Sequence, residues 1–109
     1  MSERYCLRHD DYTEPVGTLT VDFDKDVFEI EENSKYDGEL PFFLLYPKSS
    51  MSLSEKIKLW ITERAPESNY TFIDALIERA GLTEYDAYGF FKYNNGRFIT
   101  DDFYVEPIH

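Results

Sequence analysis

The feature that most constrains the fold is a regular alternation of apolar and polar residues between positions 17 and 31. A period of two that uses β-branched and aromatic residues indicates two half-buried β-strands. Asp24-Lys25-Asp26 lies between the two runs and predicts the loop of an antiparallel hairpin. Because one face of this hairpin is apolar, the rest of the chain must supply elements that cover it. The apolar positions are Leu19, Val21 and Phe23, followed after the loop by Phe28 and Ile30.

A helix between residues 52 and 66 is the first candidate for that cover. Ser52 and Glu55 have the spacing of a capping box, a pair of side chains that satisfies free N–H groups at a helix start. Apolar residues then recur at helical spacing, and Trp60 belongs to this stripe, which favours a core position for its ring. Pro66 ends the helix, because the residue before a proline is disfavoured in helical conformation. The stripe consists of Leu53, Ile57, Trp60 and Ile61.

Two further helices and a closing segment follow. One helix begins near Thr71 and ends at Gly81, a residue that suits the left-handed position after a helix. A third helix begins at Thr83, and Asn94-Asn95-Gly96 predicts the turn after it. Residues 98–105 predict an extended segment or a last strand that returns across the helices. The second helix carries Ile73, Leu76, Ile77 and Ala80 on one face, and the third carries Tyr88 and Phe91.

A polar loop and a short apolar run connect the hairpin to the first helix. Residues 32–39 predict the loop, and Pro41 and Pro47 bound the apolar run, so we expect an edge strand or another extended segment there. The length of 109 residues fits a single domain, residues 1–109. The predicted fold class is α+β, with an N-terminal antiparallel β-hairpin packed on two or three α-helices and a C-terminal extended segment or strand.

The chain is rich in aromatic residues and strongly acidic. Nine Phe and nine Tyr raise the aromatic fraction to 17%, which supports a folded core, although tyrosine is also favoured at interfaces. The 22 acidic and 11 basic residues give a net charge of −11, which repels phosphate backbones and anionic membranes. We therefore expect no direct binding of nucleic acid or membrane. The acidic excess leaves three interpretations open: solubility, attraction of a basic partner, or mimicry of nucleic acid.

Cysteine content and hydrophobic stretches bear on the compartment. Cys6 is the single cysteine, so no internal disulfide can form. No stretch approaches the roughly 18 apolar residues of a membrane span, and the first residues lack the apolar region of a signal peptide. We expect a cytoplasmic protein.

Asp22, Asp24 and Asp26 resemble the first half of a calcium-binding loop. Such a loop needs glycine at its sixth position and a bidentate glutamate at its twelfth. Val27 and Asn33 stand at those positions. We therefore interpret the segment as a charged hairpin tip.

Cys6, His9, Asp10 and Asp11 place a thiol, an imidazole and carboxylates close together in sequence. Structural zinc needs four ligands, and the other histidine of the chain is His109. A thiol nucleophile would need His9 to be oriented on it, which residues three apart on an extended segment rarely allow. We interpret the segment as an N-terminal strand followed by a polar turn, and we predict no metal site and no cofactor.

Asp101, Asp102 and Glu106 could form a carboxylate cluster for acid–base chemistry or magnesium binding. Adjacent residues on a strand point to opposite faces, so the two aspartates do not converge automatically. Arg64 lies at the C-terminal end of the first helix, where the helix dipole favours a cation. It could pair with Asp101 or Asp102 if the closing segment packs there, and such a pair would be architectural.

Three short motifs in the second half of the chain together suggest a family. They are Leu40-Pro41, then Trp60, Arg64 and Pro66 in W-x-x-x-R-x-P, and a closing segment from Thr100 to Pro107 that includes Asp101, Asp102, Phe103 and Tyr104. Residues 40–107 thereby resemble the small N-terminal module found with HipA-like serine/threonine kinases of Firmicutes, often near mobile elements. Three positions depart from the pattern: Asn69 replaces a second arginine, Asp102 a glutamine, and Tyr104 a tryptophan.

The resemblance implies a regulatory module that binds a partner, such as a HipA-like kinase domain or another protein of a mobile element. The chain lacks the nucleotide cradle, metal ligands and base that phosphoryl transfer requires. The leading hypothesis is a non-enzymatic protein-interaction module whose partner has a basic face. The alternative is an acidic nucleic-acid mimic that inhibits a DNA- or RNA-binding protein. A third hypothesis is an enzyme that uses Asp101, Asp102 and Arg64.

Overall fold

The structure is a computed structural model that describes residues 2–46 and 50–109. The strands are β1 (Glu3–His9), β2 (Gly17–Asp22), β3 (Val27–Glu32) and β4 (Phe103–Ile108), and the helices are α1 (Phe42–Leu45), α2 (Leu53–Glu63), α3 (Ile73–Arg79) and α4 (Ala87–Asn94). The four strands form one antiparallel sheet in the order β3-β2-β1-β4. The predicted α+β class, the β2–β3 hairpin and the C-terminal strand are therefore confirmed.

Alternate residues of each strand face the helices and form half of the core. Leu7 and Val105 lie opposite each other on β1 and β4, and both are buried. Their neighbours Cys6 and Glu106 also lie opposite each other, on the other face of the sheet. Thr18 of β2 continues that row, so the outer face carries polar residues where the inner face carries apolar ones. The period of two seen in the sequence thus extends across the whole sheet.

Helices α2 and α4 supply the other half of the core. The side-chain oxygen of Ser52 accepts a hydrogen bond from the Glu55 N–H (3.1 Å), which confirms the predicted cap. The ring of Trp60 is 4% exposed and meets Phe43 and Phe91 edge to face, with centroid distances of 5.6 and 6.3 Å. The predicted core position of Trp60 is therefore confirmed. Among the described helices, none is long and apolar enough to cross a bilayer.

The predicted extended segment after residue 40 is wrong, because Phe42–Leu45 form the one-turn helix α1. Pro41 precedes this helix with a φ of −66°, and its missing N–H has no required partner at that position. The helical turn buries Phe43 against the Trp60 ring. Pro47, the predicted end of the segment, lies outside the described residues.

The predicted starts of the third helix and the last strand are also corrected. Helix α4 begins at Ala87 and not near Thr83, because the Asp86 carboxylate accepts the Tyr88 N–H (3.1 Å) and caps the helix there. Strand β4 begins at Phe103, since residues 99–101 turn before it. The strand is therefore shorter at its start and longer at its end than the predicted range 98–105.

Helix α3 forms where predicted, but it is not part of the core. Gly81 follows it with a φ of +73°, as expected for the residue after a helix. None of the residues of α3 is buried, although its sequence has an apolar face. The chain therefore leaves an amphipathic helix with its apolar residues half-buried or exposed.

Gly17 is required by the close approach of β2 and β3. A Cβ atom at this buried position would collide with the backbone oxygen of Glu31. We expect Gly17→Ala to lower the free energy of unfolding by about 2 kcal/mol, because backbone atoms of a paired strand cannot move aside cheaply. Thr18→Ala on the outer face should cost less than about 1 kcal/mol. Urea denaturation of both variants checks this, and equal losses would contradict it.

Candidate functional site

Arg64 is the centre of the predicted site, and most N–H groups of its guanidinium donate hydrogen bonds within the fold. The residue is 5% exposed at the end of α2. Its Nη1 donates to Asp101 Oδ2 (2.9 Å), and Nη2 donates to the other carboxylate oxygen and to the Phe103 carbonyl (3.1 Å). Nε donates to the Gly96 carbonyl. Four of the five N–H groups of a guanidinium are thereby used within the fold.

Two aromatic rings flank the same guanidinium. Its carbon lies 4.2 Å from the centroid of the Trp60 ring and 5.6 Å from that of Phe98. Contact with ring faces stabilises a cation that has been removed from water. The two rings and the Asp101 carboxylate together offset the cost of burying the charge of Arg64.

The Arg64 cluster also covers part of one edge of the sheet. Strand β4 is one of the two edge strands, and some of its outward-facing backbone groups have partners that are not strands. The Phe103 carbonyl accepts from Arg64, and the Val105 N–H donates to the Asn95 carbonyl (2.8 Å). Pro107, the next residue on that side, has no N–H to offer. Arg64, Asn95 and Pro107 therefore reduce the number of backbone groups that this edge offers for pairing with another chain.

Asp101 is held in its ionised form by this arrangement. Burial opposes ionisation of the carboxyl group, but the hydrogen bonds and the charge of Arg64 outweigh it, and the Phe103 N–H adds a further bond. The pKa of Asp101 therefore lies below its usual value. Because the folded state favours the charged form, the contribution of this pair to stability is complete above the unfolded pKa of about 3.9.

We expect the stability difference between wild type and Asp101→Asn to be constant above about pH 5 and to shrink as the pH falls below about 4. Protonation of wild-type Asp101 removes the same charge that the substitution removes, so the two proteins become alike at this position at low pH. Urea denaturation at pH 7 and pH 3 measures the difference. A difference that is unchanged at pH 3 would show that the Asp101 charge is not the cause.

Asp102 does not join this cluster. It is exposed and lies near His9 and Asp11, with one donor atom from each of the three within 4.8 Å of the others. His9 is 3% exposed, and both of its ring nitrogens are engaged: Nδ1 accepts the Asp11 N–H (3.1 Å) and Nε2 pairs with Glu39 (2.8 Å). A cation bound through His9 would have to displace one of these bonds.

The other sequence candidates are dispersed. Cys6 and His9 lie on opposite faces of β1, so the thiol and the imidazole do not converge. Asp26 at the hairpin tip accepts from Lys58 (3.1 Å) and from the Tyr88 hydroxyl (2.7 Å). These bonds tie the tip to α2 and α4, which agrees with its interpretation as a charged hairpin tip.

Tyr104 and Pro66 make their contacts outside the Arg64 cluster. Tyr104 is on the outer face of β4, where the Arg97 guanidinium carbon sits 4.2 Å from its ring centroid. The Pro66 carbonyl accepts a hydrogen bond from the Tyr85 hydroxyl (2.8 Å). Of the seven candidate residues, the structure thus gathers Trp60, Arg64, Asp101 and Phe103, and leaves Pro66, Asp102 and Tyr104 outside.

Two concavities border this cluster, and a third adjoins one of them. The third, here the α3–α4 groove, holds about 320 Å³ and is lined by Leu76 of α3 and Tyr93 of α4. Asn94 joins it to a shallow depression of about 490 Å³ beside Phe98 and Ile99. The remaining concavity, here the Trp60 cleft, holds about 290 Å³ between residues 39–42, α2 and residues 98–103. Arg64 and Phe98 border both the depression and the cleft.

Sequence reasoning missed the exposed residues of this surface. Ile99 is 98% exposed and Phe72 is 65% exposed, although both types are usually buried. The sequence signal that could have identified Ile99 as exposed is its position shortly after the Asn94-Asn95-Gly96 turn. The prediction there was an extended segment or strand, whereas the structure has a turn. Comparison of the chain with protein-family models, with curated proteins and with solved structures found no match.

Proposed function

We propose that this chain is a non-enzymatic protein-interaction module of the cytoplasm that binds one partner protein through the α3–α4 groove and the neighbouring residues Phe98 and Ile99. The observation that carries the proposal is the amphipathic helix α3, which contributes no residue to the core. An apolar face that the chain itself does not bury is the feature that protein interfaces most often show.

The exposed apolar residues are adjacent rather than scattered. Tyr93 lines the α3–α4 groove and is 49% exposed. Phe72 lies one helical turn before Leu76, whose N–H donates to the Phe72 carbonyl (3.2 Å). Ile99 extends the surface on the other side of Asn94. A row of aromatic and aliphatic side chains of this kind suits the apolar centre of a partner surface.

Charge and sequence resemblance suggest the partner. The net charge of −11 favours a protein with a basic face and speeds its encounter with the module. The likeness of residues 40–107 to the module of HipA-like kinases makes such a kinase domain the partner to test first. The bonds of Arg64 to Asp101 and to backbone carbonyls favour a structural role for both residues over a catalytic one.

The test is capture of partners from the native cell lysate with three baits: wild type, Ile99→Ser and Phe72→Ser. The matched control is Val27→Ser, because Val27 is an exposed apolar residue (45%) on β3 that lines neither the groove nor the depression beside Ile99. Captured proteins are identified by mass spectrometry, with and without nuclease. We expect a nuclease-resistant partner that wild type and Val27→Ser retain and that the other two variants lose by about tenfold, roughly 1.4 kcal/mol of contact energy.

Three other results would change the proposal. A partner retained equally by all four baits would refute binding through the α3–α4 groove. A partner that is a nucleic-acid-binding protein, and that added DNA displaces, would favour the acidic mimic. A HipA-like kinase domain produced separately should bind wild type in the same assay, and failure to bind at low salt would remove that partner.

A further inference from the structure

We propose that the Trp60 cleft is an anchor site for a basic side chain, lysine or arginine, of the partner protein. This inference rests on the proposed function, since the basic residue would belong to the same partner that occupies the adjoining α3–α4 groove. The partner would present this basic side chain at a second, defined position beside the groove.

The shape of the cleft suits one long side chain. Its volume of about 290 Å³ is at the lower limit of the roughly 300–1,000 Å³ usual for small-molecule sites. Aromatic rings form its walls, so a flexible hydrocarbon stem would lie against apolar surface along its length. The rings belong to Phe42, Trp60, Phe98 and Phe103.

The charge of the cleft selects a cation. Three carboxylates (Glu39, Glu63 and Asp101) and one guanidinium (Arg64) line it, which leaves a formal charge of −2. Asp101 and Arg64 bind each other, so the negative charge that faces a ligand comes from Glu39 and Glu63.

The two glutamates remain available at the rim of the cleft. The Glu39 side chain is 62% exposed, and its bond to His9 is a single contact at one carboxylate oxygen. Glu63 is exposed and makes no ion pair within residues 2–46 and 50–109. A cationic head group in the cleft would be attracted by both carboxylates, and neither of them is bound to Arg64.

Other ligand chemistries fit less well. An anion would face a net negative charge, and the Arg64 N–H groups that could receive it already bind Asp101 and carbonyls. A purely apolar side chain would remove water from the glutamates without replacing its hydrogen bonds. A basic side chain satisfies both parts of the cleft, because its hydrocarbon stem lies against apolar surface and its charged end pairs with carboxylates.

The experiment is an NMR titration of ¹⁵N-labelled protein with the probe peptide acetyl-Gly-Leu-Lys-Leu-Gly-amide. The matched probe has norleucine, a neutral side chain of similar length, in place of lysine, and a third probe has arginine. Trp60 is the single tryptophan, so its indole N–H signal reports on the cleft directly. Peptide is added to about 5 mM, because a lone side chain is expected to bind with a dissociation constant near 1 mM.

We expect the lysine and arginine peptides to shift the Trp60 indole signal and to bind about tenfold more tightly than the norleucine peptide. The double variant Glu39→Gln, Glu63→Gln should lose about tenfold in affinity for the lysine peptide and keep its weak affinity for norleucine. Glu29→Gln, Glu31→Gln is the charge-matched control, since both residues are exposed on β3, on the outer face of the sheet.

Equal binding of lysine and norleucine peptides, the absence of a Trp60 shift, or an equal loss in the control variant would overturn the proposal. Its failure differs from failure of the proposed function. If Ile99→Ser abolishes capture of a partner while the lysine peptide does not bind, only the cleft proposal falls. If the lysine peptide binds but all four baits capture the partner protein equally, the proposal for the groove is refuted and the proposal for the cleft is supported.

Discussion

Replacing Arg64 by methionine is expected to lower the free energy of unfolding by about 3 kcal/mol, which is the lower end of the range for breaking a buried ion pair. Methionine restores hydrocarbon against Trp60, but it leaves the Gly96 and Phe103 carbonyls without their donor. The Asp101 side chain is 30% exposed and can still be hydrated, which keeps the loss from being larger.

The measurement is urea denaturation, with the slope of the transition compared between variants to exclude a change in the unfolded state. Arg97→Met is the matched control, because Arg97 also binds a carboxylate through two nitrogens, at 3.0 and 3.1 Å from Asp10, but its side chain is 53% exposed. Surface pairs contribute up to about 1 kcal/mol, so the control should lose no more than that. Similar losses in both variants would show that burial of the Arg64 cluster adds nothing.

The Arg64 experiment also separates architecture from catalysis. If Arg64 and Asp101 form a structural pair, Asp101→Asn should lower the melting temperature, and any loss of function should follow the loss of folded protein. An enzyme would instead lose activity while its melting temperature stayed the same. The second pattern would revive the hypothesis that Asp101, Asp102 and Arg64 act on a substrate.

Replacing Phe91 by alanine is expected to lower the free energy of unfolding by about 3–5 kcal/mol. The ring is 1% exposed and lies where the sheet and the helices meet. It contacts Tyr5 of β1, Phe23 after β2 and Trp60 of α2, with centroid distances of 5.8, 6.4 and 6.3 Å. Removing it leaves a cavity that rigid neighbouring rings cannot fill.

Tyr93→Ala is the matched control for this prediction, because Tyr93 is on the same helix and is 49% exposed. A surface substitution of this kind should change the free energy of unfolding by no more than about 0.5 kcal/mol. Urea denaturation of both variants measures the difference. A loss below about 1.5 kcal/mol for Phe91→Ala would mean that the core collapses around the missing ring more easily than its packing indicates.

Part of the fold follows directly from local sequence. The alternation at Leu19 and Val21 predicts a strand with one buried face, because neighbouring residues of a strand point to opposite sides. The Ser52–Glu55 spacing predicts the start of α2, since the cap is formed by residues three apart. Gly81 marks the end of α3 because glycine adopts a positive φ without strain.

Other elements could not be predicted because distant residues decide them. The run after Pro41 becomes a helix when Phe43 packs on Trp60, and nothing within the run itself favours that outcome. The start of β4 depends on Asp101, which binds both Arg64 and the Phe103 N–H. Local periodicity does not show which of two adjacent carboxylates will reach a guanidinium 37 residues away.

The candidate site was also predicted in part from the sequence and decided in part by the structure. The sequence singled out seven residues, of which the structure gathers Trp60, Arg64, Asp101 and Phe103. It left open whether Arg64 pairs with Asp101 or with Asp102. The structure selects Asp101, because the turn before β4 points its carboxylate at the guanidinium. The same turn leaves Asp102 beside His9.

Local periodicity and end signals identified the β2–β3 hairpin and two of the three longer helices, because these features depend on neighbours in sequence, and composition determined the acidic character. Only tertiary packing decided that the apolar face of α3 stays outside the core. Helices α2 and α4 cover the sheet, whereas α3, which also has an apolar face, stays outside the core. Whether a helix is buried depends on how much of the apolar sheet face the other helices leave uncovered. Because α2 and α4 cover that face, α3 lies outside the core with a groove beside it.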